Sequence, residues 1–187
     1  MHKKTLKIIA LILFLLIVVY NFLLSDFNPM FEDEEFVYLT NSIKVAQKEN
    51  LNQLVHNYNK IHQTVEEKRC PCEVSTDYIG PYRHGLSLTK KIYLLKIEKE
   101  FTQDDCLKFE LLNAEYLTGN IGVKQASKFY FNKTVEQLNE EENIMLIIML
   151  ENPSLYNPIR RKEKVINKVR LYQSILNKNG SNSHLNQ

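Results

Sequence analysis

The sequence predicts a mainly α-helical protein, with one N-terminal transmembrane helix ahead of a single, mostly helical domain. Three observations carry this. An apolar run from Ile8 to Leu24 stands apart from the rest of the chain, apolar residues further on recur at three- and four-residue spacing, and two capping signatures precede helical segments. Of 187 residues, those beyond the apolar run are enough for one ordinary domain with one core. A content of 44% hydrophobic and 25% charged residues is that of a folded chain, and a net charge of +2 is too small to argue for nucleic acid as a partner.

The apolar run, IIALILFLLIVVYNFLL, is broken only by Tyr20 and Asn21. Its length of about 17 residues is the short end of a spanning helix. His2, Lys3, Lys4 and Lys7 precede it, and Asp26 and an acidic cluster follow, so the positive-inside rule keeps the N-terminus in the cytoplasm and puts the domain outside. Phe22 to Asp26 offers no small-x-small cleavage site, which favours a retained anchor over a removed signal peptide.

The expected divisions are a cytoplasmic tip and anchor over 1–25, an acidic linker over 26–40, a helical domain over 41–177 and a disordered tail over 178–187. Between Asn41 and Glu66, Leu51, Leu54, Val55, Tyr58 and Ile61 form one helical stripe, with His56 and His62 expected at the surface. Pro71, Gly80, Pro81 and Gly85 mark Lys68 to Gly85 as a loop. Helix resumes near Leu86. Thr102 and Asp105 form a capping box opening a helix from Gln103 to about Leu117, closed by the turn Thr118 to Gly122. A short helix follows with Val123, Ala126, Ser127 and Tyr130 on one side. Asn139 and Glu142 form a second capping box ahead of IMLIIML, which reads as a buried central helix, with Ile144, Ile147 and Ile148 in the core. Pro153 ends it, and a basic helix runs from about Arg161 to Leu176.

Cys70 and Cys72 lie too close to pair without strain, and a lone Cys-x-Cys lacks the second pair a zinc site needs. All three cysteines are therefore expected as structural thiols, with no metal site.

Several segments, taken in order, carry a resemblance. Gly122-Val123, Ala126-Ser127, Tyr130-Phe131-Asn132-Lys133, Leu138 to Glu142 and Pro153-Ser154-Leu155-Tyr156-Asn157-Pro158 are followed by a basic last helix, and KIEKEFTQDDCLKFELL lies upstream. This order resembles the second half of the peptidoglycan glycosyltransferase domain of penicillin-binding proteins, the family 51 transglycosylases. The resemblance implies a lysozyme-like, transglycosylase-type helical domain in a bacterial cytoplasmic membrane. The active-site half departs from the family pattern. Glu32-Asp33-Glu34-Glu35-Phe36 resembles the motif of the family's general base, which implies Glu32 as the base. Gly85 to Lys91 is the counterpart of the family's Gly-Ser-Thr-Ile-Thr-Gln-Gln segment, with Lys90 and Lys91 replacing both Gln residues. The family's second glutamate then has no counterpart, and pairing Lys90-Lys91 with its Arg-Lys instead puts Leu94 at that position. Lys108 stands where a further family Glu belongs.

Polymerising a glycan on a lipid pyrophosphate needs a base for the acceptor hydroxyl and cations for the leaving pyrophosphate. The resemblance implies Glu32 as catalytic residue and Ser87, Thr89, Lys90, Lys91, Arg160, Arg161 and Lys168 as substrate-binding residues. No cofactor is identified, although a divalent cation suits an active enzyme. Three readings stand: a membrane-anchored relative with impaired or no catalysis that binds lipid-linked precursor, glycan strands or a cell-wall synthesis enzyme; an active short transglycosylase; or an unrelated membrane-anchored helical interaction protein.

Overall fold

The computed structural model describes residues 2–64, 69–80 and 87–181, and among them the fold is mainly α with no strand. The first helix, α1 (His2–Leu23), is long and apolar enough to cross a membrane, and no residue of its most apolar stretch is buried inside the protein. A 3-10 turn (Pro29–Glu32) leads into α2 (Glu34–Gln47), α3 (Asn52–Thr64) and the short α4 (Pro71–Thr76). Then come α5 (Leu88–Glu100), α6 (Gln103–Asn113), α7 (Gly122–Phe131), α8 (Glu140–Glu151) and α9 (Lys162–Ser181).

The local signals formed as expected. Thr102 accepts from the Asp105 amide while Asp105 accepts from the Thr102 amide, and Asn139 and Glu142 do the same at α8. Such reciprocal caps satisfy amides that a helix start leaves without partners. Helix α8 is apolar on all sides and is correspondingly enclosed, with Ile144, Leu146, Ile147, Ile148 and Met149 fully buried. The stripe of Leu51, Leu54, Val55, Tyr58 and Ile61 is buried beneath it.

Two apolar clusters make the core. One joins that stripe to Val123, Ala126, the α8 run, and Val165, Val169, Tyr172 and Leu176 of α9. The other joins Phe31, Phe36, Leu39 and Ile43 to Ile79, Ile92, Tyr93 and Ile97. Helix α6 serves both, giving Leu107 and Leu111 to the first and Cys106 and Phe109 to the second.

Five expectations need correction. The acidic stretch 26–40 is part of the folded unit: its acids stay exposed while Phe31, Phe36 and Leu39 enter the second cluster. The helix expected from Asn41 to Glu66 is two, because α2 is capped at Lys48 and α3 starts again at Asn52; residues 65–68 lie outside the described set. The loop from Lys68 to Gly85 contains α4, and 81–86 lie outside the described residues. Helix α6 stops at Asn113 because a turn follows, in which Leu117, Thr118 and Gly119 take positive φ and Glu115 bridges to Ile121. Gly122, at φ +78°, has its α-carbon face against Leu112, where a Cβ would sit 2.2 Å from the carbonyl oxygen. Helix α9 continues to Ser181, four residues into the expected tail; the rest of that tail is outside the described residues.

The cysteines correct the reading most sharply. Cys72 and Cys106 form a disulfide, with Cα atoms 4.9 Å apart across 34 residues of chain, and Cys70 is free. Cys70 and Cys72 indeed do not pair with each other, but packing α4 on α6 delivers the distant third cysteine.

Two outcomes test this architecture. Ile147→Asp, which buries an unpaired charge in the centre of α8, is expected to prevent folding, and an unchanged melting temperature would refute the core assignment. The double substitution Cys72→Ser, Cys106→Ser is expected to cost about 2–4 kcal/mol in chemical denaturation, since the cross-link limits the unfolded chain. Equal stability of the wild type with and without reductant would show that the bond contributes nothing.

Candidate functional site

The first turn of α5 gathers four of the expected residues. Ser87 is the N-cap and accepts from the Lys90 amide at 3.4 Å; Thr89 and Lys90 are half-buried, and Lys91 is exposed. The Lys90 ammonium lies 2.9 Å from Asp77, so part of its charge is already answered. Lys91 keeps its charge toward solvent.

Glu32 ends the 3-10 turn and is exposed. Its neighbour Phe31 seats that turn on α5, with ring centroids 5.0 Å from Phe36 and 6.4 Å from Tyr93, one turn along from Lys90. Asp33 is committed as the α2 N-cap, accepting from Glu35 and Phe36, while Glu35 accepts from the Gly80 amide at 2.6 Å. Among the described residues, no hydrogen bond or ion pair joins Glu32 to Lys90 or Lys91.

The α9 residues are elsewhere. Asn157 accepts from the amides of Ile159 and Arg160 and so shapes the turn that leaves Arg160 and Arg161 exposed at the start of α9. This helix packs into the first cluster, not the second. Lys168 is drawn inward: its ammonium lies 4.6 Å from the Tyr172 ring centroid, 5.8 Å from that of Tyr156 and 3.8 Å from Glu151. Glu151 also accepts from the Tyr172 hydroxyl and lies 3.4 Å from His62. His62, expected at the surface, is half-buried and stacked on Tyr58, and burial pushes its imidazole below the ordinary value. His56 is exposed.

A second polar cluster was not anticipated. Glu110 is 1% exposed, and Arg69 reaches its Oε1 at 2.8 Å while also donating to the Leu150 carbonyl oxygen. Among the described residues, Glu110 Oε2 and the buried hydroxyls of Tyr58 and Tyr116 have no hydrogen-bond partner. Burial pushes the Glu110 carboxyl up to about 7, with Arg69 pulling the other way; burial pushes the Tyr58 hydroxyl up to about 12, and the Tyr116 hydroxyl further in the same direction. The signal in the sequence is a single acid in the apolar run Phe109 to Leu112. Among the described residues, no group of three or more His, Cys, Asp or Glu is placed to hold a metal.

A pH dependence follows from Glu110. Its carboxyl binds a proton more tightly in the folded state than its ordinary value of 4.5 allows, so its contribution is fully present below pH 4.5 and lost as pH rises through about 7. The wild type is expected to lose about 3 kcal/mol across that window, and Glu110→Gln to lose correspondingly less. Identical pH slopes in the two proteins would refute the assignment.

Comparison with known proteins finds similarity over part of the chain. Residues 87–177 match the sequence model of the transglycosylase family. Penicillin-binding protein 4 of Bacillus subtilis is 32% identical over 73 residues, 39% of this chain and 12% of that protein. Penicillin-binding protein 1A of Mycobacterium tuberculosis is 33% identical over 90 residues, 46% of this chain and 11% of its own length. Penicillin-binding protein 1A of Escherichia coli is 31% identical over 91 residues, 48% and 11%. The match thus spans about a tenth of the length of these relatives. From the cap of α5 through most of α9, this chain resembles the peptidoglycan glycosyltransferase domain in its C-terminal half, in a diverged form.

Proposed function

We propose that this protein is a membrane-anchored peptidoglycan glycosyltransferase-like protein with impaired catalysis, which binds lipid-linked precursor through the first turn of α5. The observation that carries the reading is the composition of that turn. A capped helix start bearing Ser87, Thr89, Lys90 and Lys91 supplies backbone donors and cations, the groups that recognise a pyrophosphate. Arg160 and Arg161 provide a second cationic surface for a glycan strand or a cell-wall synthesis enzyme. Lys168, held among Tyr156, Tyr172 and Glu151, supports α9 in this reading and does not meet phosphate.

The base is the weak half of the machinery. A general base works best when its proton affinity is raised toward the operating pH, usually by burial. Glu32 is exposed, and Glu110, whose affinity is raised, is closed off from solvent. The alternative of an active short transglycosylase using Glu32 draws on one observation, the seating of the Glu32 turn against α5 through Phe31. Helix α1 is the anchor in this proposal, with Lys3, Lys4 and Lys7 on the cytoplasmic side and the domain outside. The Cys72–Cys106 disulfide supports that placement, because such bonds persist in oxidising compartments.

The test is a polymerisation assay on lipid-linked disaccharide with the full-length protein, with binding measured in parallel. We expect weak or no elongation, and binding reduced about tenfold or more in Lys90→Ala/Lys91→Ala but retained in Glu32→Gln. Robust elongation abolished by Glu32→Gln would establish the enzyme instead. Absence of both elongation and binding would leave a protein partner as the ligand.

A further inference from the structure

We infer that the outer face of α5 docks on the anionic headgroups of the membrane into which α1 inserts. The inference rests on the reading of α1 as the anchor and adds a second contact with the bilayer. Leu88, Lys91, Leu95 and Lys99 follow one another at three- and four-residue steps, so they form one stripe along the helix. That stripe faces away from the protein: Leu88 is 75% and Leu95 42% exposed, and Lys91 and Lys99 are exposed between and beyond them. The opposite face, with Ile92, Tyr93, Lys96 and Ile97, is buried in the second cluster.

The position of the stripe selects its partner. The C-terminal half of α5 is tied to the end of α1, where the ammonium groups of Lys96 and Lys99 both donate to the Leu24 carbonyl oxygen at 3.4 Å and Lys96 pairs with Asp26. Leu24 is at the point where a helix spanning Lys4–Leu23 leaves the apolar layer, so the C-terminal half of α5 lies at headgroup level. Phe27, 89% exposed, stands beside that junction. The acids of α5 are turned to other work: Glu98 accepts from Gln103 and Cys70, and Glu100 pairs with Lys96. The remaining face alternates apolar and cationic side chains, the pattern by which an interfacial helix sinks its leucines to the acyl boundary while its lysines reach anionic headgroups.

The chain has no tryptophan, so a single introduced one reports alone. Full-length Leu88→Trp, Leu95→Trp, Phe129→Trp on α7 and Phe14→Trp in α1 are placed in nanodiscs containing phosphatidylglycerol, with and without bromine on the acyl chains. The expected result is at least twofold quenching at positions 14, 88 and 95 and none at 129, with quenching at 95 halved or less in purely zwitterionic nanodiscs and by Lys99→Glu. Quenching at 14 without quenching at 88 and 95 would overturn α5 docking and leave the anchor standing. No quenching at any position would overturn the anchor and the docking together. Equal quenching at 95 and 129 would overturn the assignment to this face, and equal quenching at 95 in the two lipids would overturn the assignment to anionic headgroups.

Discussion

The carboxyl of Glu110, buried in α6, is the constraint around which the rest is arranged. Helix α6 lies between the two apolar clusters, with Leu107 and Leu111 turned to one and Cys106 and Phe109 to the other. A carboxylate at such a position is costly unless a cation meets it, and removing one partner of a buried pair typically costs about 3–5 kcal/mol. Arg69 is that cation, and it comes from outside the helix bundle, two residues before α4 begins. The Cys72–Cys106 disulfide fixes the start of α4 one turn of α6 away from Glu110, and the Leu150 carbonyl oxygen accepts a further hydrogen bond from Arg69. Disulfide, ion pair and double core therefore meet on α6: the covalent link holds α4 beside it, Arg69 answers its buried acid, and its apolar residues serve both clusters.

Elements specified by neighbouring residues were legible in the sequence. The caps at Thr102 and Asn139 are local hydrogen-bond solutions written within four residues, and α8 declares its burial by lacking any polar face. The stretch 26–40 reads as a linker because four of its acids fall side by side from Glu32 to Glu35, although Phe36, Leu39 and Ile43 already keep the spacing of one buried helix face. The disulfide was illegible for a different reason: its partners are 34 residues apart and meet only once α4 packs on α6. Glu110 left a trace, one acid in an apolar run, but nothing in the sequence says that Arg69 will reach it.

The same distinction holds for the candidate site. Residue type identified cations, and the structure sorts them by how much of their charge remains available. Lys91, Arg160 and Arg161 face solvent, Lys90 is shared with Asp77, and Lys168 lies over two aromatic rings beside a carboxylate. The α5 and α9 sets also belong to different halves of the core, so the order of the motifs along the chain does not translate into one converging pocket. Similarity to the transglycosylase family begins at the cap of α5, and the best-formed cationic turn lies at its start.

This arrangement separates binding from catalysis on physical grounds. Recognition of a pyrophosphate draws on cations and helix-start amides, and these work from an exposed surface, particularly when the ligand is confined to the plane beside it. Proton transfer is more demanding, because the base must be screened from water and held against the acceptor hydroxyl. Glu32 sits at the end of a 3-10 turn that Phe31 seats on the core, with its own carboxyl in solvent. The chain does contain an acid whose proton affinity lies near neutrality, but Glu110 reached that state by enclosure in the core, where no sugar can follow. Under the proposed function, local structure thus supplies exposed cations for a pyrophosphate while leaving the candidate proton acceptors either exposed or inaccessible.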